Sequence, residues 1–583
     1  MYKVIRPRYQ LVNVLYWFLA TYFSLQLFSA PDAGSLLNLE KEMQQNKVLP
    51  QVIPKSILSD MTVDRDVDKS GEKIYVKKFE FSGDTWFLNS KTLNKLTTEF
   101  ENKELTFGQI QSFATKIRMH YVSKGFFLSN AIIPKQEVEE GVVLIKINAG
   151  SLDSNNPYTL KNEDLRIKSK IPVQYLQKAI GNKLTKSRVE RGILNLNQTP
   201  GIIGYVNLQP GDDPGSTKVE LDVKESRLIE GLLTVDNHGS RYTGENRISG
   251  SVYINNPSKY GDQVSLTKVL SFEDNFDLNM VGYNFPLGRT GLRANATYSN
   301  LEYQIGKELE TNPISMGTAD SYSVGLSYPI YHTSKRSIFW NGSYIANYLY
   351  NENLGIVVSD KEVANQQVGL TIQNTDTFFK SGFTQISFNQ TFGDLDLEKV
   401  ANNYAADQGA GGAKTSGKFE KLSAQIFRIQ KVTDKLNLQL LASSQFVSKN
   451  VDSSEDFSLG GPAGVRAYPS GEASGDEGFK VSVDVQYNLS SRSKFGDLIL
   501  STFYDYGEIK QFKETYDIIM STPNEYSLEG WGVSLDLVTL ERLNVKVIWA
   551  DSIGENPGKT VSGMDSDGLN KSSRVWALAR ISF

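Results

Sequence analysis

Arg466 is the only cation in FSLGGPAGVRAYPSGEASGDEGF (457–479), a run whose glycines and prolines exclude a helix or an ordinary strand. A guanidinium is a planar fork of donors that keeps its charge, so its natural chemistry is two-pronged pairing with a carboxylate. Asp484 and Asp505 lie close in sequence. As an acid/base pair they lack a nucleophile, a metal ligand or a base of suitable type, so no catalytic reading follows. Zero cysteine removes disulfides, thiolate catalysis and most zinc sites. His120, His238 and His332 stand far apart in no ligand-spaced motif and read as unrelated polar residues. No catalytic residue, metal or cofactor is assigned. On the residues alone, a solvated arginine on a surface loop is the simpler account of Arg466.

At 583 residues the chain needs several domains. Its 62 basic and 66 acidic side chains give a net charge of −4, which does not suit nucleic acid as a partner. The 28 Tyr, 29 Phe and 6 Trp with only 39% hydrophobic residues suit strands that are apolar on one face, as in a membrane barrel.

Lys3, Arg6 and Arg8 precede the apolar run LVNVLYWFLATYFSLQLF (11–28), then SAPDAG. Residues 1–30 read as a secretory signal peptide, with an uncleaved anchor as the alternative. In AGSLLNLEKEMQQ (33–45), Leu36, Leu37, Leu39 and Met43 lie among Glu40, Lys41, Glu42 and Gln44, which predicts a short amphipathic helix within 31–45. Residues 46–73, with two prolines and many charges, read as a linker.

Residues 74–150 form a compact α/β unit. IYVKKFEFSG reads as a strand, and a helix opens at TFGQ, where Thr106 and Gln109 have capping-box spacing. Ile110, Phe113, Ile117 and Tyr121 share one helical face, and FFLSNAIIP and GVVLIKINAG read as strands. Residues 151–228 repeat that ending with the helix KSRVERGILNLN and the strands GIIGYVNLQPG and TKVELDVKE. A repeat of roughly 75 residues predicts two copies of one small module.

From 229 to 583 the period becomes two. In VSVDVQYNL, Val481, Val483, Val485, Tyr487 and Leu489 share one face, and Ser482, Asp484, Gln486 and Asn488 the other. The last strand alternates only in part, because Trp576 and Leu578 share a face with Arg580 and Ser582. Membrane strands of roughly 9–11 residues would place about sixteen in this stretch, so a membrane β-barrel is favoured over a soluble sandwich.

The order of motifs resembles the outer-membrane transporters of two-partner secretion (TpsB, haemolysin-activator-like) over nearly the whole mature chain. PDAGSLLNLE resembles the family's plug helix. YVSKGFFLSNAIIPKQEVEEGVVLIKINAG (121–150) is similar to the first polypeptide-transport-associated (POTRA) domain, and LNQTPGIIGYVNLQPGDDPGSTKVELDV to the second. TVDNHGSRYTG (234–244) is similar to the start of the barrel. SSEDFSLGGPAGVRAYPSGEASGDEG resembles the VRGY-type inward loop, and FYDYG (503–507) the Phe-x-Asp-x-Gly motif of the wall that faces it. Ala467 stands where Gly is commoner, which would stiffen the loop tip, and the GDEG ending belongs to one branch only.

The resemblance implies a plug helix, two POTRA domains (74–150 and 151–228) and a barrel of about 16 antiparallel strands (229–583) in a bacterial outer membrane. It implies an inward loop carrying Gly460, Gly461, Val465, Arg466, Ala467 and Tyr468, facing Phe503, Asp505 and Gly507. In strand 498–507, Ser501, Phe503 and Asp505 share a face, and a carboxylate facing lipid is costly, so that face should look inward. Folded inward, Arg466 would reach Asp505; Asp484 is the second candidate by the same parity. The implied partners are a large secreted exoprotein (TpsA-like), bound unfolded by the POTRA domains, and outer-membrane lipid. The chain would act as a monomer, without enzymatic activity, cofactor or ATP. The alternatives are a barrel-assembly insertase of the same superfamily and a passive porin.

Overall fold

The computed structural model describes residues 31–47, 71–213, 215–489, 496–539 and 542–583. The expected signal peptide (1–30) and residues 48–70, the body of the expected linker, lie outside them.

In the first module, Lys73–Val76 pairs antiparallel with Lys103–Thr106. Lys78–Gly83 runs parallel to Val142–Asn148, which takes Asn130–Ile132 on its other side. IYVKKFEFSG is therefore two strands, not one. The break falls at Lys77, where the N–H groups of Lys77 and Lys78 both donate to the Gly141 carbonyl. Helix Phe107–Ser123 opens on the capping box of Thr106 and Gln109, each side chain bonding the other's backbone. Ile110, Phe113, Ile117 and Tyr121 bury its apolar face against Phe79, Val143 and Ile145.

The second module centres on Ser216–Glu225. Ile202–Pro210 pairs with it antiparallel, and the short strands Ser151–Leu152 and Tyr158–Leu160 run parallel on the other side. Helix Lys186–Asn197 was expected; helix Lys170–Ile180 was not. Pro172 obscured the latter, although proline is tolerated in a first turn. Ile171, Tyr175, Leu176 and Ile180 keep the helical spacing and are buried.

Sixteen strands close into a barrel, each antiparallel to its neighbours. The first eight are β1 (Ile229–Asp236), β2 (Arg247–Asn255), β3 (Gln263–Ser271), β4 (Phe276–Pro286), β5 (Arg293–Gln304), β6 (Met316–His332), β7 (Arg336–Asn353) and β8 (Ile356–Asp376). The second eight are β9 (Ser381–Asp396), β10 (Gly417–Lys431), β11 (Leu436–Val447), β12 (Glu477–Asn488), β13 (Asp497–Lys510), β14 (Glu525–Val538), β15 (Leu543–Ile553) and β16 (Ser573–Ser582). β1 closes on β16 from Leu232 opposite Ser582 to Asp236 opposite Leu578.

Alternation sets the two faces. On β13, Leu500 and Tyr504 are exposed on the outside, while Ser501, Phe503 and Asp505 are buried on the inside. Strand length departs from the expected 9–11 residues. β8 has 21, β7 has 18 and β6 has 17, whereas β1 has 8. At about 3.4 Å per residue and a tilt of about 45°, β8 stands about 50 Å tall, roughly twice the apolar band of an outer-membrane barrel. One side of the wall is therefore much taller than the expected membrane band. The modules attach at the end where β1 begins, and β7, running away from them, carries the extra height to the opposite end.

The second module also bonds to the barrel rim. Gln198 and His332 lie 3.2 Å apart, Arg191 donates to the Tyr328 hydroxyl at 3.1 Å, and Asn195 donates to the Thr290 carbonyl at 3.0 Å. Among the described residues no helix is long and apolar enough to cross a membrane.

Thr106→Ala removes one half of the capping box. It should destabilise the first module by about 1 kcal/mol, lowering its urea midpoint in residues 71–228 expressed alone. The full-length barrel should keep its heat-dependent gel shift.

Candidate functional site

Between β11 and β12 the chain turns into the barrel from the end opposite the modules, and its tip folds on itself before it meets the wall. Gly460 N–H donates to Glu472 O, Gly461 N–H to Tyr468 O, Val465 N–H to Leu459 O and Tyr468 N–H to Val465 O. Gly461 has φ +112°, a conformation that L side chains rarely adopt. This compact tip presents Arg466 to β12 and β13.

The guanidinium meets both candidate carboxylates at once. Nε lies 2.8 Å from Asp505 Oδ2, and Nη2 lies 2.7 Å from Asp505 Oδ1. Nη1 and Nη2 donate to Asp484 at 3.1 and 2.7 Å, and Nη2 also donates to Ser482 Oγ at 2.6 Å. The backbone N–H of Arg466 adds a bond to Asp505 at 3.0 Å. The Phe503 ring lies under the guanidinium, 3.4 Å from centroid to Cζ. Asp484 is thus a simultaneous partner rather than an alternative to Asp505. A solvated arginine is excluded, since Arg466 is only 5% exposed and Asp505 fully buried.

The remaining motif residues pack around this contact. Val465, Ala467 and Tyr468 are buried with Leu459, Phe503 and Leu528. A Cβ on Gly507 would lie 2.8 Å from Leu459 and 3.3 Å from Val465, so the glycine of FYDYG lets the loop lie against the wall. The Ala467 methyl fills the space above Gly530 in the same way.

Three anchors were not foreseen. Trp576 Nε1 donates to the Arg466 carbonyl at 2.7 Å, tying the loop to β16. Its signal was the broken alternation of the last strand, an aromatic ring on the polar face. Glu472 accepts from Asn556 Nδ2 and from Ser566 N–H, both at 2.7 Å. Ser482 lies on the Asp484 face of β12 and was readable from parity. Nearer the loop's base, burial pushes the Asp456 carboxyl up, and neighbouring Asp476 adds to the effect.

The helix Ala33–Lys47 runs inside the barrel, two residues longer than expected. Leu36 and Leu37 join an apolar cluster with Leu278, Leu301, Leu349 and Val363 of the wall. Its polar face meets charges of the wall: Glu40 is buried against Arg247, which also holds Asp236. Glu42 bonds Lys480 at 3.1 Å, and Lys41 donates to Asn347 at 3.2 Å. Just before the helix, Asp32 and the loop's Asp452 share Lys361 of β8. Helix and loop also touch directly, Asn38 donating to the Asp456 carbonyl at 2.6 Å. Toward the modules the lumen opens into a cavity of about 880 Å³, lined by Gln367, Thr371, Gln385, Asn389 and Gln425 among other polar residues.

Residues 215–535 match the family described as haemolysin secretion/activation protein ShlB/FhaC/HecB, and residues 74–150 match its ShlB-type POTRA domain. The first match spans more than half of the chain. The chain belongs to this family. It is an outer-membrane transporter of two-partner secretion, with its POTRA domain in the periplasm. The heme/hemopexin transporter protein HuxB of Haemophilus influenzae (strain 86-028NP) is 23% identical over 94% of this transporter and 96% of that protein. The outer membrane transporter CdiB of Dickeya dadantii is 21% identical over 82% and 83%. Among solved structures, CdiB from Escherichia coli superposes with a TM-score of 0.76 at 18% identity, covering 95% of this transporter and 100% of that chain.

Removing one partner of a buried ion pair costs about 3–5 kcal/mol, with lumen water pulling toward the low end. Arg466→Ala leaves two facing carboxylates without their cation and should undock the loop. Ser470→Cys, unique in this cysteine-free chain, should then react with a soluble maleimide more than a hundredfold faster, since about 1.4 kcal/mol is a factor of ten. Arg466→Lys should fall between, and Asp484→Asn, which leaves a one-to-one pair, should cost less than Asp505→Asn. Equal effects of the two aspartate substitutions would mean that the three bonds to Asp505 carry no extra weight.

Proposed function

We propose that this transporter captures an unfolded exoprotein on its periplasmic modules and passes it through the barrel, without ATP and as a monomer. The observation that carries the reading is the state of the lumen: a polar cavity open toward the modules, closed at the far side by a helix and a loop. Both obstacles are held by apolar packing together with hydrogen bonds and ion pairs, and the polar contacts can be remade with water or with a client. No bond-making step is part of this reading.

Capture is assigned to strand addition, which bonds the backbone and so tolerates varied client side chains. Ile202–Pro210 pairs on one side only. On its other side Gly204 is capped by Asn197, which accepts from its N–H at 2.7 Å and donates to its carbonyl at 3.3 Å. By alternation Val206 and Leu208 turn their backbone groups the same way, and no described backbone group bonds them there.

Direction is assigned to folding outside the cell. Native structure is worth roughly 0.05–0.15 kcal/mol per residue, so every ten or so residues that fold beyond the barrel hold the chain there by about 1 kcal/mol.

Deleting residues 31–45 should raise single-channel conductance in planar bilayers while export of the cognate exoprotein continues. Unchanged conductance would mean that the helix does not obstruct the path. Residues 71–228, expressed alone, should bind the unfolded secretion domain of the cognate exoprotein at tens of micromolar, about 6 kcal/mol. That binding should survive high salt, whereas a charge-driven contact would be screened.

A further inference from the structure

The tall side of the wall has an edge that is not closed. β8 pairs with β7 out to Ile356, but its pairing with β9 begins only at Glu362, opposite Asp396. Residues 356–361 have a strand partner on one side alone, and no described backbone group bonds them from the other. In an antiparallel sheet every second residue turns both N–H and C=O toward the same neighbour, so about half of this stretch lacks a backbone partner; helix Ala401–Gln408, which follows β9, touches β8 but is itself not buried.

The side chains suit a strand acceptor. Ile356, Val357 and Val358 are β-branched and 67%, 40% and 38% exposed. Exposed edges in natural proteins are normally blunted by charge, proline or a covering element. Of the two charges here, Lys361 turns inward to Asp32 and Asp452, and Asp360 is neutralised by Lys399 at 3.3 Å. The register steps by one between Asn351 and Glu352, leaving Val358 unopposed. Such a bulge re-aims a strand.

Position narrows the occupant. The edge stands at the extracellular end, opposite the modules. Val358, Ser359 and Lys361 line the same cavity as Asp32, Ser35 and Leu36 at the start of the helix. A chain that replaces the helix leaves the lumen beside this edge. Lipid cannot satisfy a row of peptide groups; an extended polypeptide can.

We propose that residues 356–361 of β8 are a second, extracellular strand-addition site, which takes the first emerging segment of the exoprotein and starts its folding as β-structure. The segment it fits is extended, with apolar and polar residues alternating. This inference rests on the export reading above.

The test uses single cysteines in the full-length transporter in lipid nanodiscs. The probe is a short soluble peptide that alternates Val or Thr with Lys or Glu and begins with Cys carried as its 2-pyridyl disulfide, so that the transporter thiolate displaces pyridine-2-thione and no oxidant is needed. V357C should form a disulfide with it at least about tenfold faster than V561C, on a loop where Val561 is 86% exposed. A peptide with proline at alternate positions should lose that advantage, and I356C repeats the measurement should V357C fold poorly. A second arm jams the cognate exoprotein in transit by fusing a fast-folding domain to its C-terminus. Contact at both V357C and the lumenal Q367C supports the proposal. Contact at Q367C without V357C overturns it and leaves the export reading standing. No contact at Q367C removes the export reading, and this inference with it. Equal reaction of the two peptides, or a V357C disulfide between two transporters in place of the peptide adduct, overturns it as well.

Discussion

One guanidinium facing two carboxylates inside a barrel is the constraint around which the rest is arranged. Taking an ion from water costs several kcal/mol even after relaxation, and mutual attraction returns that only where the geometry is close. Here five donor contacts from one side chain, with a ring beneath it, supply that geometry. The pairing leaves one negative charge over. The glycines facing the loop, Gly507 and Gly530, are the steric counterpart of the same arrangement. A charge set this dependent on position specifies where a loop sits more than how stable the barrel is.

The helix and the loop are not independent obstacles. Lys480 of β12 donates to Glu42 on the helix and to the Ser458 carbonyl on the loop. Lys361 joins Asp32 to Asp452. Asn38 and Asp32 also bond Asp456 and Ser453 of the loop directly, so removing either obstacle strips partners from the other and their occupancies of the lumen are coupled. Contacts shared in this way are consistent with a lumen that is either fully occupied or largely vacated.

Much of this was legible in the sequence because period-two alternation and turn chemistry are local. The faces of β12 and β13 followed from parity, and the capping box at Thr106 from spacing. What stayed hidden depends on distant partners. Nothing near Glu40 announces Arg247, some two hundred residues away, and the helix looked amphipathic although its polar face meets the wall rather than solvent alone. That Asp484 and Asp505 act together could not be read from parity, which places both on the lumenal face but does not say how near each comes to the loop. Strand length misled for a related reason. The membrane fixes only a minimum, and how far β6 to β10 continue past it depends on pairing with one another.

The bond from Trp576 to the Arg466 carbonyl has a consequence for biogenesis. The tip of the loop is translated more than a hundred residues before the strand that finishes holding it, and that strand is the last of the barrel. Until β16 is in place, Arg466 can meet β12 and β13 but lacks its third wall. Full docking of the loop is therefore a late event, available only once the barrel has rolled shut. A half-closed barrel would hold the loop on β12 and β13 without its anchor on β16, so this one contact distinguishes a finished barrel from an unfinished one.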